Sequence, residues 1–306
     1  MNILITGACG HIGSYLAENI YKIKKVKKVY LVDDLKNGRI NTLFNSKKKN
    51  KLKFYLCDIS LQNSLNFLKN IDVVIHLASL TNAAGSFKIK KDMYKNNLNC
   101  FKNIINFCKK NKSKLIHISS TSVYGKQADL VNEDSGNKYL KPQSPYAEIK
   151  LIEEKILKKE KNLKYITFRF GTIAGISKGI RFHTAVNKFC LNASLNKPIE
   201  VYKTALHQYR PYLSLRDSFK VFKYSIENNF FNNQIYNALT GNFTVNDIIK
   251  KIKKYKKKVK IKFVHSKIMN QLSYHVSSFK LKKSGLKLGN NLDKEIKETL
   301  QLLKNI

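Results

Sequence analysis

"NILITGACGHIG", residues 2–13, decides how the rest of the chain is read. Its first half centres on an apolar run of strand length, and its second half sets Gly7, Gly10 and Gly13 at three-residue spacing. A strand that ends in such a turn and runs straight into a helix has a mechanical use for each glycine. The first permits the tight turn, the second lets backbone approach a pyrophosphate, and the third lets helix pack closely on strand. The helix that starts at His11 and Ile12 then offers free N–H groups to an anion.

Outward from this turn, apolar runs and amphipathic segments alternate. Residues 27–34, 52–58, 73–79, 114–120 and 164–171 read as further strands, with helices at 61–69, 92–111 and 145–160. Several of the strands are continuous Val/Ile/Leu runs, the pattern of a parallel sheet covered on both faces. The fold class is therefore α/β, a Rossmann-type doubly wound parallel sheet. After residue 171 the pattern loosens into a helix near 183–195, extended segments at 198–202 and 210–217, a helix at 217–228, a strand at 235–240 and a closing helix at 293–304. This predicts a smaller, interleaved α/β substrate-binding lobe. Residues 1–171 form the dinucleotide domain with 211–240 returning to it, and 172–210 and 241–306 form the lobe.

Composition narrows the function. A chain of 306 residues can bury a sizeable core. No apolar run reaches membrane-spanning length, and the N-terminal apolar stretch is too short for a signal peptide. The formal net charge of +38 suggests a polyanion partner, but only five of the 58 basic residues are arginine. Readers of nucleic-acid sequence lean on arginine forks, and here lysine recurs on surface positions all along the chain. The charge reads as solvated surface, without specific nucleic-acid binding. Five scattered cysteines with no C-x-x-C fit reduced thiols in a cytoplasm, and no cluster has metal-ligand spacing.

The second strand ends at Asp33, about twenty residues past Gly13, where an acid holds the adenosine ribose hydroxyls and repels a 2′-phosphate. That favours NAD over NADP. Asp58, closing the third strand, reads either as an adenine contact or as a strand-end cap. In "SPYAEIK" (144–150), Ser144 caps a helix with Pro145 in its first turn. Tyr146 and Lys150, four apart, share one face of that helix.

The glycine run, Asp33 with "NGR" (37–39), "HLAS" (76–79), Asn97, "SSTSVYG" (119–125) and Tyr146-x-x-x-Lys150 occur in the order of the extended short-chain dehydrogenase/reductases. The chain resembles the NAD-dependent sugar-nucleotide epimerase/dehydratase group within them, most specifically up to residue 217. The resemblance implies a catalytic set of Ser120, Tyr146 and Lys150. It implies cofactor contacts from Gly7, Gly10, His11, Ile12, Gly13, Asp33, Asn37, Gly38, Asp58, Ile59, Leu77, Ala78, Ser79, Asn97, Lys150 and Phe170. Tyrosine titrates near ~10, so a base at neutral pH needs roughly 4 kcal/mol of differential stabilisation. The Lys150 ammonium and an oxidised nicotinamide are expected to supply it.

Members that eliminate water carry Asp-Glu where this chain has Thr121 and Ser122, which points away from dehydration. The implied substrate contacts are Thr121, Thr172, Arg181, Tyr202, Arg210 and Tyr274. Arg210, in "QYRPYLSLRD" (208–217), resembles the arginine that grips a substrate pyrophosphate, and Arg181 is a second candidate. Tyr202 reads as a base-stacking aromatic or as a core strand residue, and Tyr274 as a sugar contact or as packing; Asn187 is a weaker candidate. Thr172 replaces the usual Asn, "KTALHQY" (203–209) replaces a Gly-rich segment, and Lys267 and Asn270 stand where an Arg and an Asp often close the nucleotide site. These departures leave the nucleotide open among UDP, GDP, CDP and dTDP. The expectation is a cytoplasmic, homodimeric, NAD-dependent nucleoside-diphosphate-sugar epimerase acting at C4 in polysaccharide synthesis. The alternatives are a net reductase or dehydrogenase and a non-catalytic NAD-sensing regulator.

Overall fold

The computed structural model describes residues 1–44, 51–81, 85–264, 273–289 and 292–306, so Lys267 and Asn270 lie outside the described residues. The chain begins with β1 (Asn2–Thr6), α1 (His11–Asn19), β2 (Lys28–Asp33), β3 (Leu52–Leu56), β4 (Val73–His76), α2 (Lys90–Asn111) and β5 (Lys114–Ser120). It continues through β6 (Leu130–Val131), α3 (Pro145–Lys159), β7 (Tyr165–Phe170), β8 (Thr172–Ala174), α4 (Ala185–Ser194), β9 (Ile199–Tyr202) and β10 (Tyr209–Ser214). It closes with α5 (Leu215–Glu227), β11 (Ile235–Ala238), β12 (Gly241–Thr244), α6 (Val245–Lys253), β13 (Ile261–Val264), β14 (His275–Val276), α7 (Phe279–Lys283) and α8 (Leu292–Leu302).

Seven parallel strands form the main sheet in the order β11-β7-β5-β4-β1-β2-β3. Because side chains alternate along β1, Ile3 and Ile5 face one layer and Leu4 the other. The first layer packs on Leu16 and Ala17 of α1 and on Val221, Phe222 and Ile226 of α5. The second packs on Phe101, Ile104 and Cys108 of α2 and on Leu157 of α3. Strand order reverses between β1 and β4, so the β1 and β4 turns diverge and leave a crevice at the carboxyl ends of the strands. That crevice positions the site.

A second cluster gathers α4, α6 and α8 around β9 and β10, with Phe189, Ile199, Val201, Tyr212, Ile248 and Ile296 at its centre. Here β10 pairs antiparallel with β12 and parallel with β8, and β13 pairs parallel with β9. The helix expected at 61–69 is not formed. Those residues fold as successive turns closed by i→i+3 bonds such as Ser64 N to Leu61 O and Asn66 N to Asn63 O. Asn63 takes φ of +60°, a left-handed conformation that Asn tolerates and a helix does not.

Behind the sheet edge, β7 and α3 share a buried ion pair. Arg169 donates from Nε and Nη2 to the two Glu154 oxygens at 2.9 and 2.6 Å, and from Nη1 to the Tyr124 hydroxyl at 2.8 Å. Ser119 donates to the same carboxylate at 2.6 Å. Removing one partner strands a buried charge. Arg169→Met is therefore expected to cost about 3–5 kcal/mol, read as a lower denaturant midpoint at unchanged slope.

Candidate functional site

A cavity of about 460 Å³ opens at the carboxyl ends of β1, β4, β5 and β7 and runs into the second cluster. Its inner end is the glycine turn. Gly7 sits at φ of +66° with the Ala78 N–H 2.6 Å from where a Cβ would lie, and a Cβ on Gly13 would stand 2.2 Å from Gly7 O. The turn is thus closed on itself, and α1 starts at Gly10 with no side-chain cap, leaving its first N–H groups to face the cavity. A polyphosphate fits this cradle.

The turn is roofed by the segment between β8 and α4. His11 Nε2 donates to Gly175 O at 2.8 Å, Ser177 donates to His11 O at 2.8 Å, and the Gly179 N–H donates to Ser14 Oγ at 3.0 Å. Burial holds the His11 pKa down to about 4, so the ring is a neutral donor. This roof carries Arg181, whose guanidinium approaches Gly10 to within contact distance of a Cβ and donates to Thr81 Oγ1. Burial and the neighbouring Arg39 charge depress the Arg181 pKa, which marks a cation short of counter-charge.

Ser120, Tyr146 and Lys150 line the same cavity. Ser144 caps α3 by accepting from Ala147 N at 3.2 Å, with Pro145 in the first turn. One turn on, Lys150 brings its ammonium 5.9 Å from the centre of the Tyr146 ring. Tyr146 is hydrogen-bonded to the Ser120 side chain, and Ser122 Oγ donates to Ser120 Oγ at 2.8 Å. Burial pushes the Tyr146 phenol above its ordinary value, and the pull of Lys150 does not overcome it. Burial is the main reason the expected lowering is absent, and the charge of Glu153, which binds the 4%-exposed Lys150 at 2.8 Å, adds to it.

The rest of the lining includes polar and cationic groups. Thr121, Thr172, Arg181, Tyr202, Arg210 and Tyr274 all line the cavity. Thr121 donates to Phe170 O at 3.3 Å and is hydrogen-bonded to Tyr274, which is 6% exposed. Arg210 Nε and the Tyr212 hydroxyl are buried without a hydrogen-bond partner, an arrangement that a bound polar group would complete. Among the described residues Glu200 is the sole carboxylate lining the cavity, and it faces Lys188 at 3.7 Å.

Of the cofactor candidates, Gly7, Gly10, His11, Ile12, Gly13, Leu77, Ser79, Lys150 and Phe170 line the cavity. Asp33, Asn37, Gly38, Asp58, Ile59, Ala78 and Asn97 stand off it. Asp33 accepts from Cys9 N and Leu35 N at 3.0 Å each, beside the turn. Asp58 pairs with Lys36 at 2.6 Å, and Asn37 and Gly38 are exposed in the loop between. Ile59 is core, and the Asn97 amide brackets the Leu80 backbone at 2.8 and 3.0 Å. Asn187 is fully buried and holds Gly175 N and Arg181 O, supporting the roof. Phe189 and Val245 line the cavity without having stood out in the sequence, because their spacing is that of ordinary core residues.

A family model described as the NAD dependent epimerase/dehydratase family matches residues 3–238, and the chain belongs to that family. A trifunctional UDP-glucose 4,6-dehydratase/UDP-4-keto-6-deoxy-D-glucose 3,5-epimerase/UDP-4-keto-L-rhamnose-reductase of Arabidopsis thaliana is 28% identical over 98% of this chain and 46% of its own length. The chain thus spans about half the length of the curated plant relatives it matches. An ADP-L-glycero-D-manno-heptose-6-epimerase of Brachyspira hyodysenteriae is 26% identical, covering 86% of this chain and 83% of the relative. Among solved structures, UDP-glucuronic acid 4-epimerase from Bacillus cereus, in complex with UDP-glucuronic acid and NAD, superposes with a TM-score of 0.87 at 25% identity, covering 99% of each chain. The dTDP-glucose 4,6-dehydratase DesIV double mutant from Streptomyces venezuelae reaches 0.89 at 18% identity, covering 100% of this chain and 97% of that one, a likeness of fold.

Proposed function

We propose that this protein is an NAD-dependent nucleoside-diphosphate-sugar epimerase acting at C4. The observation that carries this reading is that one cavity is lined together by the glycine cradle, a Ser–Tyr–Lys set, and the unpartnered Arg210 Nε and Tyr212 hydroxyl donors. The one carboxylate among the described lining residues, Glu200, faces Lys188, and Thr121 and Ser122 stand beside Ser120. That speaks for reversible oxidation over loss of water, a step that needs an acid and base at adjacent carbons.

Backbone N–H groups from His11 to Gly13 would hold the NAD pyrophosphate, Asp33 the adenosine ribose and Lys150 the nicotinamide ribose. Bound NAD supplies a two-electron acceptor that returns the same pair, so no net redox accumulates. Tyr146 takes the proton of the 4-hydroxyl as the ketone forms and gives it back when the ring presents its other face. Ser120 donates to the same sugar oxygen. Arg210 pairs with the substrate diphosphate, and Thr121, Thr172 and Tyr274 bound the sugar. Free, mostly buried cysteines agree with a reducing compartment, and a homodimer through α2 and α3, which pack side by side, completes the reading.

The test is product analysis of the NAD-loaded protein against a nucleotide-sugar panel. The 4-epimer should form with no stoichiometric NADH, whereas NADH matching product would convert the assignment to a dehydrogenase. Arg210→Met should raise KM about 100-fold with a much smaller change in kcat, because a charge-assisted contact of about 2–3 kcal/mol is lost in ground and transition states alike. Steady-state kinetics on the active sugar checks it.

A further inference from the structure

We propose that Glu153, braced by His117, is a positioning residue that acts through Lys150 to set how readily Tyr146 releases and regains its proton. The inference rests on the proposed role of Tyr146 and concerns groups behind the cavity wall. Glu153 is 1% exposed, and one of its oxygens, Oε2, accepts from both Lys150 Nζ at 2.8 Å and His117 Nε2 at 2.9 Å. His117, on β5, is fully buried, and burial disfavours its charged form. A neutral ring facing a carboxylate must carry its proton on Nε2, so Nδ1 accepts from Thr167 Oγ1 of β7 at 3.2 Å. Burial works against the Glu153 charge, yet Lys150 and His117 together hold its pKa down to about 2. Burial likewise opposes the Lys150 charge, and Glu153 more than offsets it.

The consequence falls on Tyr146. An ammonium alone beside a phenol favours phenolate; an ammonium already neutralised by a carboxylate does so far less. In a dry wall the neutral set of phenol, ammonium and carboxylate is preferred over one carrying a second anion. The other groups facing Tyr146 and Lys150 do not replace Glu153. Glu154 is committed to Arg169 and Ser119. His76 of β4 is buried, bonded to Thr6 at 2.8 Å and held near 3 by burial and the Lys150 charge. Arg181 favours the phenolate from the roof, and Ser120 stabilises it by hydrogen bonding. Neither histidine gains a proton near neutral pH, so a change in the profile there reports on Tyr146.

The experiment compares NAD-loaded wild type, Glu153→Gln and Glu153→Asp by the pH dependence of kcat/KM and by the tyrosinate absorbance that Tyr146→Phe removes. Removing the carboxylate charge should move the acid limb and the tyrosinate titration together, about one pH unit or more toward acid. Glu153→Asp, which keeps the charge, should stay near wild type. Titrations that do not move in Glu153→Gln, or that move toward alkali, overturn the proposal and leave Glu153 a structural brace. Should Glu153→Gln not fold, wild type decides: the Tyr146 tyrosinate should develop above neutrality, and a band already complete at pH 7 sinks the inference. An active Tyr146→Phe would instead overturn the base assignment, and the absorbance titration separates the two failures.

Discussion

Tyr146→Phe is expected to lower kcat at least about 1,000-fold while the purified protein still carries its dinucleotide. General acid–base groups contribute about 100- to 10,000-fold, and the groups in contact with Tyr146 and Lys150 offer no second acceptor for the proton. Ser120 can hold the sugar oxygen but is itself a donor to it, Lys150 is spoken for by Glu153, and His76 is neutral with Nδ1 on Thr6. The phenol ring packs where it stands without its hydroxyl, and α3 keeps its Ser144 cap, so fold and cradle should survive. Single-turnover kinetics with the bound nucleotide measured after acid release checks both halves. Activity within tenfold of wild type would remove the tyrosine from the mechanism.

The second large effect is structural. Gly13→Val should abolish dinucleotide retention and cost about 3 kcal/mol or more, because a Cβ there would stand 2.2 Å from Gly7 O and 2.8 Å from Ala8 Cα. Both obstacles are backbone in the turn itself, so relief means opening the cradle or shifting α1 off the sheet. Gly38→Ala is the contrast. Its φ is +64°, with nothing within 4 Å of the added methyl, so only the left-handed backbone strain of about 1–2 kcal/mol is expected. Thermal unfolding and the nucleotide content of the two purified variants distinguish steric closure from a general intolerance of glycine replacement. Equal losses in both would refute the steric account.

The first lobe was legible because its signals are local. A buried parallel strand writes itself as a continuous apolar run, and the glycine turn and the capped Tyr146 helix each fit within a dozen residues. The turns at 61–69 were misread since Leu65 and Leu68 are buried at near-helical spacing, while Asn63 breaks the helix only through its backbone angle. In the second lobe, β8, β12 and β13 are three or four residues long and take their pairing from distant partners, so no periodicity announces them. The lining candidate Arg210 is found by resemblance to a family motif and not by pattern. His117 and Glu153 escaped for a physical reason: they lie 36 residues apart and meet only once β5 and α3 stack.

The roof over the glycine turn bears on how the protein handles its cofactor. The segment between β8 and α4 is stitched to α1 at His11 and Ser14, and Gly179 presses so close that a methyl there would stand 2.6 Å from the carbonyls of Cys9 and Gly10. On the proposed function, a dinucleotide seated in the glycine cradle would lie beneath these stitches and would exchange slowly. Such a molecule is built to behave as a prosthetic group, spent and restored in place, so its rate should be indifferent to the free nicotinamide pool around it.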